Sequence, residues 1–179
     1  MACRPACRRS IDPAEGGIAY GRAASKAAWL FVVLALTASL VHPAHAMQRE
    51  TLKILTTQGT RVIDVEIADT PEEKAQGLMF RTHLDDKNGM LFFYQRAQEI
   101  TMWMRNTYIP LDMVFIRADG VVHRIEPYTV PLSEDIVASR GNVAACLELA
   151  GGAAERLGLK PGDRIDHRYF QLRKDQRKK

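Results

Sequence analysis

Residues 111 to 126 read L-D-M-V-F-I-R-A-D-G-V-V-H-R-I-E, two apolar runs separated by the turn Ala118-Asp119-Gly120. An Asp-Gly turn between two such runs is a strong short-range signal of a β-hairpin. The stretch therefore predicts two antiparallel strands, Leu111 to Arg117 and Val121 to Glu126. We therefore searched the neighbouring sequence for further short strands joined by turns.

Further strands are predicted on both sides of this hairpin, because short apolar or alternating runs lie between turn residues. The predicted strands are Leu52 to Thr57, Thr60 to Ile67, Met90 to Tyr94, Ile100 to Met104, Val143 to Leu149 and Arg164 to Phe170. Many short strands with turns every 8 to 12 residues are typical of sandwiches and barrels. The predicted fold is all-β and mainly antiparallel, a compact sandwich or closed barrel with two short helices.

The first predicted helix begins with a capping box, in which Thr70 caps, Pro71 occupies the first helical position and Glu73 closes the box. Gly77 is expected to end this helix after about two turns. The second predicted helix, Ala153 to Leu157, is equally short. Residues 127–142 show no period and are predicted to form a long loop.

Residues 1–46 are interpreted as an N-terminal extension and a signal peptide. Basic residues precede the apolar run Ala27 to Val41, and Ala44-His45-Ala46 provides a small-x-small cleavage signal. Cleavage after Ala46 predicts a periplasmic or secreted protein that meets the membrane only through this segment. It leaves a β domain at 47–172, whose single cysteine excludes an internal disulfide, and a basic tail at 173–179.

The net charge of +4 arises at the two ends of the chain. Residues 47–172 contain 15 basic and 18 acidic residues, a net charge of −3. A nucleic-acid groove requires basic residues on the folded body. The sequence therefore predicts no nucleic-acid partner.

Six short motifs resemble the DUF192 (UPF0127) family. They are GLMFR at 77–81, GMLF at 89–92, WMRNT at 103–107, IPLD at 109–112, LEL at 147–149 and RLGL at 156–159. The resemblance implies a compact β domain of sandwich or barrel type that is often exported in bacteria, and it implies no reaction, because the family is named for its unknown function. Two residues depart from the family pattern: Arg105 stands where lysine is expected, and Ala150 where asparagine is expected.

A ligand pocket is predicted around the stretch Ile100 to Phe115, which combines an aromatic ring with several polar side chains. The candidate binding residues are Arg81, Trp103, Arg105, Asn106, Thr107, Asp112 and Glu148. Two positions are open for Trp103. Its ring either faces outward as a stacking surface, with Met102 and Met104 toward the core, or is itself part of the core.

Asp112 lies in an apolar strand, where a carboxylate is costly to bury unless it is paired. Arg105 or Arg81 is the expected partner, through a bidentate ion pair. Such a pair would either fix the turn at 106–110 or form the polar floor of a pocket. The two roles are compatible.

These features favour a binding or accessory module of the cell envelope, with a small-molecule or saccharide ligand and no cofactor. Three alternatives stay open at this point. The first is an enzyme that uses Asp112 and Glu148 as acid and base on envelope saccharides. The second is a Cu(I) carrier that uses the thioethers of Met102 and Met104. The third is a domain that binds an envelope protein.

Overall fold

The computed structural model describes residues 47–171. The predicted leader at 1–46 and the basic tail at 173–179 lie outside these residues. Within the described part, the strands are β1 (Arg49–Thr56), β2 (Gly59–Ala68), β3 (Asn88–Met102), β4 (Leu111–Ile116), β5 (Val122–Thr129), β6 (Val137–Ala150) and β7 (Arg164–Asp166), and the helices are α1 (Pro71–Gln76) and α2 (Ala153–Arg156). A further helical turn occupies residues 168–171.

All seven strands belong to one mixed sheet with the order β5-β4-β6-β3-β2-β1-β7. The neighbours pair antiparallel except β2 and β3, which are parallel. The sheet curls into a half-barrel. Its two edges approach each other at one isolated bridge, between Val121 and Arg164. The all-β, mainly antiparallel prediction is confirmed, whereas a sandwich or closed barrel is not.

The local signals predicted the two hairpins and the first helix correctly. β1 pairs with β2, and β4 pairs with β5, in antiparallel register. At α1 the Thr70 side chain accepts the Glu73 amide at 3.2 Å, and a Glu73 carboxylate oxygen accepts the Thr70 amide at 3.0 Å. The helix ends at Gly77, whose φ of 49° favours glycine.

Three predicted boundaries are wrong. Met90 to Tyr94 and Ile100 to Met104 belong to one long strand, β3, because pairing with β6 resumes beyond an irregularity between Phe93 and Gln98. The predicted loop at 127–142 is shorter, since β5 continues to Thr129 and β6 begins at Val137. The last strand stops at Asp166, and the chain turns helical beyond it.

The central strands are covered on both faces. One apolar cluster contains Leu91, Val114 and Leu147, and the other contains Met90, Phe115 and Cys146. All six residues of β4 are buried, which explains why the strand reads as a continuous apolar run rather than an alternating one. A polar side chain on these strands is therefore costly to bury unless it is hydrogen-bonded.

Among residues 47–171, no helix has the length and apolar character needed to cross a membrane.

Candidate functional site

Asp112 is fully buried, and its carboxylate is bound by backbone amides rather than by an arginine. One oxygen accepts the N–H groups of Tyr128 and Gly152, and the other accepts that of Ala154, each at 2.9 Å. Gly152 precedes α2 and has no side chain that could cap it. Asp112 supplies this cap from β4, so it links β5, β4 and α2. The predicted ion pair of Asp112 is wrong.

The two arginines expected beside Asp112 have partners elsewhere. Arg81 binds the Glu66 carboxylate in a bidentate pair at 3.0 and 2.5 Å. Burial raises the pKa of Glu66, but the hydrogen bonds and charge of Arg81, together with those of Arg49, outweigh burial and hold that pKa below its usual value. Arg105 forms an exposed bidentate pair with Glu134 at 3.0 and 3.1 Å. The predicted polar cluster is therefore divided among three places.

Glu148 is the second buried acid, and its environment differs from that of Asp112. Its residue exposure is 4 %, and its Oε2 atom has no hydrogen-bond partner among the described residues. Burial raises the pKa of Glu148 to about 8. The side chain is therefore a neutral carboxylic acid at pH 7, which can both donate and accept a hydrogen bond.

Asp112 and Glu148 point to opposite faces of the sheet. Asp112 pairs with Leu149, which belongs to the first apolar cluster. Glu148 pairs with Met113 and Met90, which belong to the second cluster. Because directly opposed residues share a face, the two carboxyl groups cannot act on one substrate as acid and base. The enzyme alternative built on this pair is therefore wrong.

A pocket of about 100 Å³ lies between the end of α1 and β3, with Glu148 in its wall. Four of the predicted residues line it, namely Trp103, Arg105, Thr107 and Glu148. Its other lining residues are Lys74, Ala75, Gln76, Gly77, Leu78, Met79, Phe92, Tyr94, Thr101 and Met102. The central part of the predicted site thus comes together, whereas Arg81, Asn106 and Asp112 do not line this pocket.

Trp103 is 41 % exposed, and Met104 is buried. The outward position is therefore the correct one of the two predicted for Trp103. The Arg105 guanidinium lies over the indole, 4.1 Å from its centroid. A ligand that stacks on Trp103 must use the other face of the ring or displace Arg105.

The sequence interpretation missed Lys74 and Tyr94. Lys74 Nζ lies 5.0 Å from the centroid of the Tyr94 ring and donates to the Asp69 carbonyl oxygen. Burial lowers the pKa of Lys74. Burial also raises the pKa of Tyr94, and the nearby Cys146 and Glu148 raise it further, to about 12. Lys74 could have been found from its position, because it lies on the last turn of the predicted helix, three residues before the GLMFR motif.

Asn106 and Thr107 hold the surrounding loops together through their backbones. Asn106 adopts a left-handed conformation, with φ of 55°, and its carbonyl oxygen accepts the Phe80 amide at 2.8 Å. The Thr107 carbonyl oxygen accepts the Leu132 amide at 3.1 Å. The Asn106 side-chain amide contacts Met79 Sδ at 3.8 Å. These contacts join the segments that follow α1, β3 and β5.

The two methionines of the Cu(I) alternative occupy different environments. Met104 is buried, and its sulfur accepts the Thr129 hydroxyl at 3.1 Å. Met102 is half-buried and lines the pocket. Within residues 47–171, no cluster of three His, Cys, Asp or Glu side chains is placed to hold a metal ion. A Cu(I) ion would have to displace the Thr129 hydrogen bond to use both thioethers.

The sequence profile of the DUF192 family, described as an uncharacterized ACR, matches residues 53–167. The chain is similar to a proposed transcription regulator from Sinorhizobium meliloti, with 43% identity, a TM-score of 0.66, and coverage of 68% of this chain and 95% of that one. It is also similar to a protein of unknown function from Novosphingobium aromaticivorans, with 42% identity, a TM-score of 0.67, and coverage of 71% and 91%. No curated protein matches the chain. Because the profile spans more than half of the sequence, the chain belongs to the DUF192 family.

Proposed function

We propose that this protein is a small-molecule binding module whose ligand occupies the pocket between α1 and β3 and forms a hydrogen bond with Glu148. The buried Oε2 atom of Glu148, which has no partner among the described residues, carries this proposal. A buried polar atom left without a hydrogen bond costs about 1–3 kcal/mol. A ligand that forms this hydrogen bond removes that cost, and the free energy recovered contributes to its binding affinity.

The walls of the pocket indicate the kind of ligand. Leu78, Met79, Phe92 and Met102 offer apolar contact, and a neutral carboxylic acid offers one directional polar contact. Binding pockets commonly combine apolar walls with a few polar groups in this way. The leader motif at 1–46 supports export to the periplasm or beyond, where a saccharide unit or a small organic acid of the envelope would be available.

We do not propose that this chain is a transcription regulator like its Sinorhizobium meliloti relative. Its body, residues 47–172, has fewer basic than acidic residues, 15 against 18. Binding to the phosphate backbone depends on basic side chains. The charge of the body supports a small ligand over DNA.

The proposal is tested by a thermal-shift screen of the full chain against envelope saccharides and organic anions. Glu148→Met removes the polar group at similar volume, and Glu155→Gln is the matched control, because Glu155 is an exposed acid on α2 outside this pocket. A ligand present at 100 times its Kd stabilises by about 2.7 kcal/mol. We expect that stabilisation in the wild type and in Glu155→Gln, and its loss in Glu148→Met.

Equal shifts in all three proteins would place the ligand elsewhere and refute the proposal. No shift for any compound would also count against it, and would favour the protein-partner alternative. The exposed apolar side chains of Phe80, Tyr108, Val130 and Leu132 would then be the first surface to test by co-purification.

A further inference from the structure

Resting on the proposed function, we propose that the ligand is a small organic carboxylate, held between the Lys74 ammonium and the protonated carboxyl group of Glu148. Four ionisable residues line the pocket: Lys74, Tyr94, Arg105 and Glu148. Two of these are cations, and the only acid among them is buried. This charge pattern matches an anion and opposes a cation.

Lys74 is the cation best placed to attract an anion. Its Nζ donates to a backbone carbonyl, that of Asp69, rather than to a carboxylate. Burial lowers the pKa of Lys74, and the nearby Asp69 and Glu73 carboxylates offset only part of this effect. A bound carboxylate would stabilise the ammonium further, whereas a ligand amine would destabilise it. Arg105 contributes less, because Glu134 already neutralises it.

Glu148 supplies the complementary donor. Its protonated carboxyl group can donate one short, charge-assisted O–H···O hydrogen bond to a carboxylate oxygen. The groups that face it preserve its neutral form: Met90 and Tyr94 come from β3, Met113 from β4 and Cys146 from its own strand. Burial raises the pKa of both the Tyr94 hydroxyl and the Cys146 thiol, so neither adds a negative charge at neutral pH.

The size and walls of the pocket restrict the rest of the ligand. A volume of about 100 Å³ accommodates a chain of a few carbon atoms. Leu78, Met79 and Met102 provide an apolar surface for that chain. Methionine side chains adapt readily to differently shaped apolar groups, so short carboxylates of more than one length are expected to fit.

The test is a calorimetric titration of the full chain with propanoate and butanoate between pH 6 and pH 9.5, with propanamide and propylamine as neutral and cationic probes. We expect the two carboxylates to bind and the amine to fail. Above pH 8 the carboxylate Kd should rise about tenfold per pH unit, because Glu148 loses the proton that it donates. Lys74→Gln should weaken binding at least tenfold at pH 7.

Glu148→Gln separates the contribution of Glu148 from that of Lys74. The glutamine amide keeps an N–H donor without titrating, so we expect this variant to bind propanoate with one affinity from pH 6 to pH 9. If the decline with pH persists in Glu148→Gln, another group titrates and the assignment of Glu148 is overturned. Binding of propanamide or a saccharide in place of propanoate would overturn the carboxylate inference and leave the proposed function standing. Failure of every probe and every envelope compound would overturn both.

Discussion

Replacement of Asp112 by alanine is expected to destabilise the protein more than any surface substitution, because two buried N–H groups and one part-buried N–H group lose their acceptor together. These groups belong to Tyr128, Gly152 and Ala154. A hydrogen bond to a charged group contributes about 1.5–3 kcal/mol. Three such bonds give an upper range of about 4.5–9 kcal/mol. Water can enter from the adjoining open cavity, which is lined by Asp112, Tyr128 and Gly152, so we expect a loss near the lower limit, about 4.5 kcal/mol.

Asp112→Asn provides a graded control for the same site. An asparagine oxygen can still accept the two amides of Tyr128 and Gly152, while its NH₂ group faces the Ala154 N–H without a bond. We expect a loss of about 2 kcal/mol. Urea denaturation of the full chain, followed by circular dichroism, measures both values. A loss under 1 kcal/mol for Asp112→Ala, or an equal loss for both variants, would refute the assignment of Asp112 as a three-amide acceptor.

Three further outcomes are expected. Wild-type stability should fall by about 4 kcal/mol relative to Glu148→Gln as the pH rises from 4.5 to 8, because in that window the folded state keeps the Glu148 proton and the unfolded state loses it. Parallel pH profiles of the two proteins in urea denaturation would contradict this. Arg81→Gln should lower the free energy of unfolding by about 1 kcal/mol at pH 7. This difference should shrink toward pH 3, because the ion pair lowers the pKa of Glu66 in the folded state and its stabilisation is lost as that carboxylate becomes protonated. A pH-independent difference in chemical denaturation would refute the ion pair as the source of the lost stability. Gly77→Ala should destabilise the fold by about 2 kcal/mol, because the backbone angles of Gly77, φ of 49° and ψ of −138°, are strained for alanine. The added Cβ would also lie 3.1 Å from the Phe92 ring. An unchanged midpoint of thermal unfolding would argue against that strain.

Local signals in the sequence predicted what local interactions determine. The capping box at Thr70 and Glu73 satisfies amides within the same turn, and the Asp119-Gly120 turn joins strands that are adjacent in the chain. The length of β3 depends instead on its partner β6, about 50 residues away, whose pairing continues beyond an irregularity. Sequence periodicity contains no information about that partner, so the strand was divided in two.

The site was predicted in part for a similar reason. Trp103, Arg105 and Thr107 lie within five residues of one another, so their approach to one pocket follows from the chain itself. Lys74 and Glu148 reach the same pocket from α1 and β6, and only the tertiary structure brings them together. The alternation of Glu148 with Leu147 and Leu149 predicts that Glu148 lies on the opposite face of β6 from the two leucines. The alternation does not predict which apolar cluster covers each face.

The two buried acids show why residue type and burial cannot assign a role without the partners. Asp112 and Glu148 lie on adjacent strands of one sheet, each in an apolar sequence context. The Asp112 carboxylate accepts three backbone amides, those of Tyr128, Gly152 and Ala154, so its oxygens are hydrogen-bonded within the fold. Burial raises the pKa of Glu148, and its Oε2 atom has no hydrogen-bond partner among the described residues. Under the proposed function the unsatisfied acid is the one that binds the ligand, whereas the satisfied acid holds β4, β5 and α2 together.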